Sequence, residues 1–235
     1  MSLVLSLFPG IGLLDMAFEE EGFCVVRGPD LLWGGDVRRF HPPRGVFAGV
    51  IGGPSCQPHS VLREMVHAAG NETAPDMIPE FERCVMEALP SWFLMEQVPG
   101  APLPKVKSYQ VRDEIVRDSW VGGSTERLRR FSFGTFPGRR LRIETLALHQ
   151  QGEPTVVAGH GLPPSQRDKR GGETTMPVSE MCRLQGLPDD FADHLPFTTH
   201  GKRRVIGNGV PLSMGRAVAR AVKAALQAEF SHNRN

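Results

Sequence analysis

The feature that most constrains this chain is its opening stretch, where short apolar runs end in glycine and alternate with a segment of helical periodicity. LVLSLF (3–8) is broken by Pro9, Gly10, Ile11 and Gly12; Leu13, Leu14, Met16 and Phe18 then share one helical face, and that segment closes at Gly22. FCVVRG and VFAGVIGG read as a second and third strand, WFLMEQV as a fourth and RRFSFG as a fifth. IPEFERCVMEAL and YQVRDEIVRDS carry helical periodicity between them. Strands alternating with helices predict an α/β fold, a mixed and mostly parallel sheet covered by helices on both faces.

A chain of 235 residues allows one or two domains. Residues 1–134 carry the α/β pattern. Residues 135–177 hold few periodic apolar runs, many Gly and Pro, and the polar stretch PPSQRDKRGGETT, as expected of a small second lobe or a long functional loop. Residues 178–235 resume with VSEMCRLQGL and end in an alanine-rich helix, PLSMGRAVARAVKAALQAEF. The formal net charge of +1 removes overall charge as a reason to expect nucleic acid. Local charge differs: arginines stand at 127, 129, 130, 139, 140 and 142, and Lys202, Arg203 and Arg204 form a second basic run. Such runs meet phosphate on one face or are ordinary solvated surface. The four cysteines (24, 56, 84, 182) show no CxxC pair, so neither a zinc site nor a disulfide framework is expected. Without a secretory leader or an apolar run of membrane-spanning length, the expectation is a soluble intracellular protein with no membrane and no metal partner.

Five places carry chemistry. The glycines of FPGIG fall between the first strand and first helix, where backbone amides can approach a nucleotide, although a tight turn alone also selects glycine. Asp30 follows the second strand, where an acid can accept hydrogen bonds from ribose hydroxyls or simply shape a turn after Pro29. Cys56, in IGGPSCQPHS, lies just past the third strand at the carboxyl edge of the sheet, a place for a nucleophile, whereas Cys24 and Cys84 sit inside apolar runs. Glu96 ends the fourth strand, to pair with a cation or act as an acid. Arg127 and Arg129 alternate on one strand face with Leu128 and Arg130 opposite; two guanidiniums there recognise anions or polar base edges, or line a solvated edge.

In their order along the chain, LFPGIG, GGDV, GGPSCQ, MEQV, ERLRRF, EMCRLQGLPDDF and GNGV resemble the motifs of cytosine carbon-5 DNA methyltransferases, and the resemblance runs from Leu7 to about Val210. It implies a Rossmann-like S-adenosylmethionine-dependent methyltransferase fold with a very small target-recognition lobe. By the same resemblance Phe8, Gly10, Gly12, Asp30, Asp36, Met77 and Asn208 would bind S-adenosylmethionine, released as S-adenosylhomocysteine. Cys56, Glu96, Arg127 and Arg129 would be catalytic. Ser60 matches a serine that touches the DNA backbone. The implied partner is double-stranded DNA, met by a monomer in a bacterial cytoplasm, nucleoid-associated or phage-encoded.

Several residues depart from the family pattern. Ser55 replaces the proline before the cysteine, Gln97 the asparagine after the glutamate, Thr125 the first glutamine of Gln-x-Arg-x-Arg, and Gly209 a frequent serine. Gln97 puts the geometry linking Glu96 to the cysteine loop in question. The recognition region, residues 135–177, is very short for the family; Arg139, Arg140, Arg142, Arg167, Lys169 and Arg170 would supply its phosphate contacts, with a short or relaxed target sequence. Two alternatives remain open: methylation of RNA on the same fold, and a DNA- or cofactor-binding protein that has lost turnover.

Overall fold

The structure is a computed structural model that describes residues 3–55, 75–146, 152–153, 155–158 and 175–232. Strands β1 (Leu3–Leu7), β2 (Cys24–Arg27), β3 (Gly49–Gly52) and β4 (Trp92–Gln97) form the parallel part of one sheet. β5 (Gln110–Arg117) and β6 (Leu128–Thr135) complete it in the order β2-β1-β3-β4-β6-β5, with β6 antiparallel to both its neighbours. Four apolar runs read from the sequence are thus the parallel strands, and RRFSFG lies within β6.

Helices cover both faces. On one, α1 (Leu13–Glu20) and α5 (Leu212–His232) bury Leu14, Phe18, Met214, Val218 and Val222 against Val4, Ile51, Trp92, Leu94, Phe131 and Phe133. On the other, α2 (Ile78–Ala88) presents Ile78, Phe81, Val85 and Ala88, spaced three and four residues apart, to Leu5, Leu7, Val50, Phe93 and Met95. Phe81 is fully buried there, so truncation to alanine should cost about 3–5 kcal/mol. A third cluster joins Ile11 and Leu13 to α3 (Val178–Leu184) and α4 (Thr199–Asn208), which sit beside the carboxyl edge of the parallel strands.

One sequence expectation is corrected. YQVRDEIVRDS is not helical; its residues 110–117 are β5, an edge strand. Val111, Ile115 and Val116 imitate a helical stripe, but a charged edge strand needs little alternation. Only Val116 is buried, while Arg112, Asp113 and even Ile115 are exposed.

Candidate active site

β1 has β2 on one side and β3 on the other, so the chain leaves their carboxyl ends in opposite directions and opens a crevice between β1 and β3. This is the switch point at which open α/β sheets bind ligands. Phe8–Gly12 lines one side, Gly52–Ser55 the other, and the end of β4 brings up Glu96 and Gln97.

The turn after β1 has an unusual backbone. Phe8 (φ 56°), Gly10 (φ 56°) and Gly12 (φ 82°) are all left-handed, and at Phe8 a side chain bears that strain. A Cβ on Gly10 would meet nothing within 4 Å, so space above it is open, whereas one on Gly12 would lie 2.7 Å from Arg27 Nη2. Asp30 fixes this turn from β2: Oδ2 accepts the Gly10 N–H at 2.8 Å and Oδ1 accepts Leu32 N–H at 2.8 Å. Trp33, half exposed, donates Nε1–H to the Gly10 carbonyl at 2.7 Å and packs at 5.5 Å on Phe197. Below it, Ser6 Oγ–H donates to the buried Asp15 at 2.5 Å, and Arg27 Nε pairs with the other carboxylate oxygen at 3.1 Å. Burial pushes the Asp15 carboxyl above the usual range, partly opposed by that hydrogen bond and by Arg27.

The other expected cofactor residues spread around this turn. Met77 is buried in the cluster that takes Leu7, Val37 and Phe8. Asp36 faces outward, held by Arg38, whose hydrogen bonds keep its carboxyl below the ordinary range. Asn208 is exposed at the end of α4.

Glu96 lies opposite Phe131 in the β4–β6 register, which places Arg129, two residues earlier on β6, diagonal to it on the same face. Arg129 Nε meets Glu96 Oε1 at 2.7 Å, with both side chains largely buried (15% and 12% exposed). The other oxygen lies against the glycine turn: a Cβ on Gly53 would come within 2.9 Å of Glu96 Oε2. Gln97, fully buried, donates Nε2–H to the Pro54 carbonyl at 2.7 Å. The departure from asparagine therefore comes with a direct bond between the end of β4 and the loop that leads to Cys56. Cys56 and Ser60 themselves lie outside the described residues.

Arg127 has different surroundings from Arg129. It is 3% exposed and donates Nη1–H to the carbonyls of Val156 (2.6 Å) and Gly207 (3.0 Å), lashing the start of β6 to the α4 terminus. Thr125, in the place of the family's glutamine, is buried with its N–H and Oγ1–H both on Asp118 Oδ2, at 2.9 and 2.7 Å, and Ser213 Oγ–H reaches Asp118 Oδ1 at 2.5 Å.

The expected recognition arginines do not gather in one place. β6 runs antiparallel to β4, so Thr135 lies opposite Trp92, at the amino edge of the parallel strands. Six residues of strand, roughly 20 Å, separate that edge from Arg129. Arg139 and Arg140 follow it there. Arg139 donates Nη1–H to the Ala225 carbonyl of α5 at 3.0 Å, and Arg140 is exposed. The chain then returns, with Leu141 and Ile143 on the core and Arg142 outward, until Leu146 N–H meets the Trp120 carbonyl and Thr125 bridges Glu153. Arg167, Lys169 and Arg170 are outside the described residues.

Sequence reasoning missed the residues that hold the site together. Gln185, inside the RLQG motif, donates Nε2–H to the carbonyls of Ile206 (2.7 Å) and Gly209 (3.2 Å) and so sets the turn carrying Asn208. Its place in a family motif was a usable signal. Asp118 and Trp33 carried none.

Comparison with known proteins decides the family: residues 105–224, half of the chain, match the C-5 cytosine-specific DNA methylases. The chain belongs to that family. It is 23% identical over 334 aligned positions to the type II methyltransferase M.NgoPII of Neisseria gonorrhoeae, covering 95% of this chain and 96% of the relative. Its fold resembles that of a protein described as a DNA modification methyltransferase encoded within an E. coli prophage (TM-score 0.65, 16% identity, 97% and 100% of the two chains). It also resembles the Spodoptera frugiperda DNMT2 mutant (TM-score 0.62, 12% identity, 96% and 100%). The mixed sheet with helices on both faces is that of a Rossmann-like methyltransferase. Among the described residues no helix is long and apolar enough to cross a membrane, and no three His, Cys, Asp or Glu residues gather as a metal site.

Proposed function

We propose that this chain is a DNA (cytosine-5-)-methyltransferase that draws its methyl group from S-adenosylmethionine and works through a covalent adduct on Cys56. The observation that carries this reading is the joint between β4 and the cysteine loop. Glu96, paired to Arg129, lies against Gly53, while Gln97 grips Pro54 two residues before Cys56. A carboxylate, a guanidinium and the approach to a thiol are thereby held together at one edge of the crevice.

The turn after β1 suits the cofactor, with open space above Gly10 and an acid, Asp30, fixed beside it. Phe8, Gly10, Gly12 and Asp30 would hold it, with Met77, Asp36 and Asn208 at its margins. Bound there, S-adenosylmethionine supplies an electrophilic methyl group. Cytosine carbon 5 is a poor nucleophile, and the Cys56 thiolate remedies this by forming a bond to carbon 6, which shifts the ring electrons toward carbon 5 and ring nitrogen 3. Glu96 stabilises the charge that develops at nitrogen 3 by a proton or hydrogen bond. Arg129, oriented by Glu96, faces the carbonyl at carbon 2. After methylation a base takes the carbon 5 proton, the carbon–sulfur bond breaks and the thiolate leaves. The base must be flipped out of its duplex to reach this edge. Arg127 acts in this scheme by fixing the start of β6 rather than by touching the base.

The alignment with the Neisseria relative spans 334 positions against 235 residues here, so that protein carries segments this chain lacks. Together with a recognition region confined to residues 135–177, this supports a short or relaxed target sequence; the reading adds a monomer in a bacterial cytoplasm, nucleoid-associated or phage-encoded. The test is methyl transfer from tritiated S-adenosylmethionine to unmethylated duplex DNA and, separately, to folded RNA, beside Cys56→Ala. The reading expects incorporation into DNA that the substitution abolishes. Incorporation into RNA alone reassigns the substrate, and cofactor binding without transfer to either marks a retired enzyme. Sequencing of the product that reveals a long, strict motif overturns the relaxed recognition.

A further inference from the structure

We infer that Glu126 is a positioning residue for duplex binding: its carboxylate clamps the limb on which the recognition region returns to the catalytic fold, and so fixes that region in register with Arg129. The inference rests on the DNA-methyltransferase reading above. Residues 124–127 lead into β6, whose Arg129 meets Glu96, and they are bonded on two sides. Toward β5, the carbonyls of Thr125 and Arg127 accept the N–H groups of Ser119 and Asp118 at 3.0 and 2.9 Å. Ser124 and Glu126 turn the other way. The Ser124 carbonyl accepts the Glu153 N–H at 2.6 Å and the Glu126 N–H donates to the Glu153 carbonyl at 3.1 Å, so Glu153 runs parallel beside Thr125. β4, the other neighbour of β6, ends at Gln97 opposite Arg130, and the returning limb takes up the place it leaves.

The Glu126 side chain reinforces this join. Its Oε1 accepts the Gly152 N–H at 2.9 Å and Ser119 Oγ–H at 3.1 Å, while Oε2 takes the Arg117 guanidinium. Donors from the end of β5, the turn after it and the returning limb thus converge on one carboxylate. The limb comes so close that a Cβ on Gly152 would lie 2.2 Å from Glu126 Oε1. Folding gives little reason for the arrangement. Arg117 and Glu126 are 33% and 38% exposed, and an ion pair so open to water adds little to stability. The buried bonds of Thr125 to Asp118 and of Arg127 to Val156 already secure this corner.

What Glu126 adds is alignment. It precedes Arg129 by three residues, roughly 10 Å of strand. Contacts between a duplex and the recognition region position the DNA, and they bring a base to Glu96 and Arg129 only if the limb keeps a fixed distance from β6. A limb that slips must be ordered again at each binding event, which weakens affinity without altering the contacts themselves. The turn after β1, where the cofactor is expected, shares none of these bonds.

The test is fluorescence anisotropy of a labelled, unmethylated duplex with the intact protein, Glu126→Ala, Glu126→Gln, Gly152→Ala and the Glu126→Ala/Gly152→Ala double variant. A lost hydrogen bond to a charged group should weaken duplex binding about ten-fold in Glu126→Ala and raise KM for DNA to match. Glu126→Gln keeps an oxygen for the Gly152 N–H and should stay within about three-fold of the parent. Gly152→Ala, whose methyl group displaces the carboxylate, should reproduce the Glu126→Ala defect, and the double variant should be no worse than either single change. S-adenosylhomocysteine affinity and the urea midpoint should stay near the parental values throughout. Parental duplex affinity in both Glu126→Ala and Gly152→Ala, or two defects that multiply in the double variant, overturns the clamp and leaves the DNA reading standing. A loss that extends equally to S-adenosylhomocysteine binding makes Glu126 a structural residue and overturns it as well. If the unsubstituted protein binds no duplex, the DNA reading falls and takes this inference with it.

Discussion

Replacing Gln97 should uncouple the cysteine loop from β4. The side chain is 1% exposed and its Nε2–H to the Pro54 carbonyl, at 2.7 Å, joins β4 to the buried loop residue closest to Cys56. In Gln97→Ala the Pro54 carbonyl loses its donor inside the protein, which costs about 1–3 kcal/mol, and the vacated space adds about 1–2 kcal/mol. A urea midpoint should therefore report a loss of about 2–5 kcal/mol. Gln97→Asn is the sharper variant, because it restores the residue usual in the family yet is one methylene too short to span the distance without moving the loop. A displacement of about 1 Å at a reacting group can cost on the order of a hundredfold in rate. With tritiated S-adenosylmethionine and duplex DNA, both variants should lose kcat while KM for the cofactor, bound at the other side of the crevice, stays near its original value. Full kcat in Gln97→Ala, with stability within about 0.5 kcal/mol of the parent, would refute the coupling.

Arg127 and Arg129 should separate by kind of defect. Arg127→Met leaves the Val156 and Gly207 carbonyls without their donor and should lower stability by about 2–5 kcal/mol in urea, whereas Arg129→Met should lower kcat more than stability; equal stability losses would count against the division. Asp15 should shape the acid side of the stability profile. Its carboxyl is raised in the fold, chiefly by burial, so the folded state holds the proton more tightly than the unfolded one. Its contribution is thus present at low pH and declines as pH rises from the ordinary carboxylate range through the raised value; Asp15→Asn should remove that decline from urea midpoints measured between about pH 4 and 7, and an unaltered profile would contradict the sign. Thiol reactivity should divide as well. Burial pushes the Cys84 thiol up to about 11 and raises that of Cys182, so iodoacetamide at about pH 8 should reach Cys56 first in peptide mapping and these two only after unfolding.

The parallel half of the fold was legible because buried parallel strands are written as continuous apolar runs, and the glycines after β1 and β3 mark the edge where the chain must turn sharply. Asp30 and Glu96 could be placed at strand ends for the same reason. What periodicity could not supply was the state of a segment with few apolar residues: Val111, Ile115 and Val116 fit a helix stripe as well as the edge strand they form. Alternation on RLRRF put Arg127 and Arg129 on one face, yet gave no sign that one is sealed inside and the other meets Glu96, since both depend on partners far along the chain. Strand direction was equally hidden. Arg139 and Arg140 follow Arg129 closely in sequence, but an antiparallel β6 carries them to the opposite edge. Substituted motif positions were the least readable, because the compensation is spatial: Gln97 reaches Pro54, and Thr125 closes on Asp118.

The central claim, a thiol adduct guided by Glu96 at this edge of the sheet, is tested most directly with duplex DNA carrying 5-fluorocytosine. Fluorine at carbon 5 cannot be taken off as a proton, so the adduct cannot resolve after methyl transfer. Incubated with S-adenosylmethionine and analysed by mass spectrometry after proteolysis, the protein should yield the methylated nucleotide joined to the peptide containing Cys56, with none from Cys56→Ala and far less from Glu96→Gln. Attachment at another cysteine, or methyl transfer to ordinary cytosine in duplex DNA that survives the loss of Cys56, would contradict it.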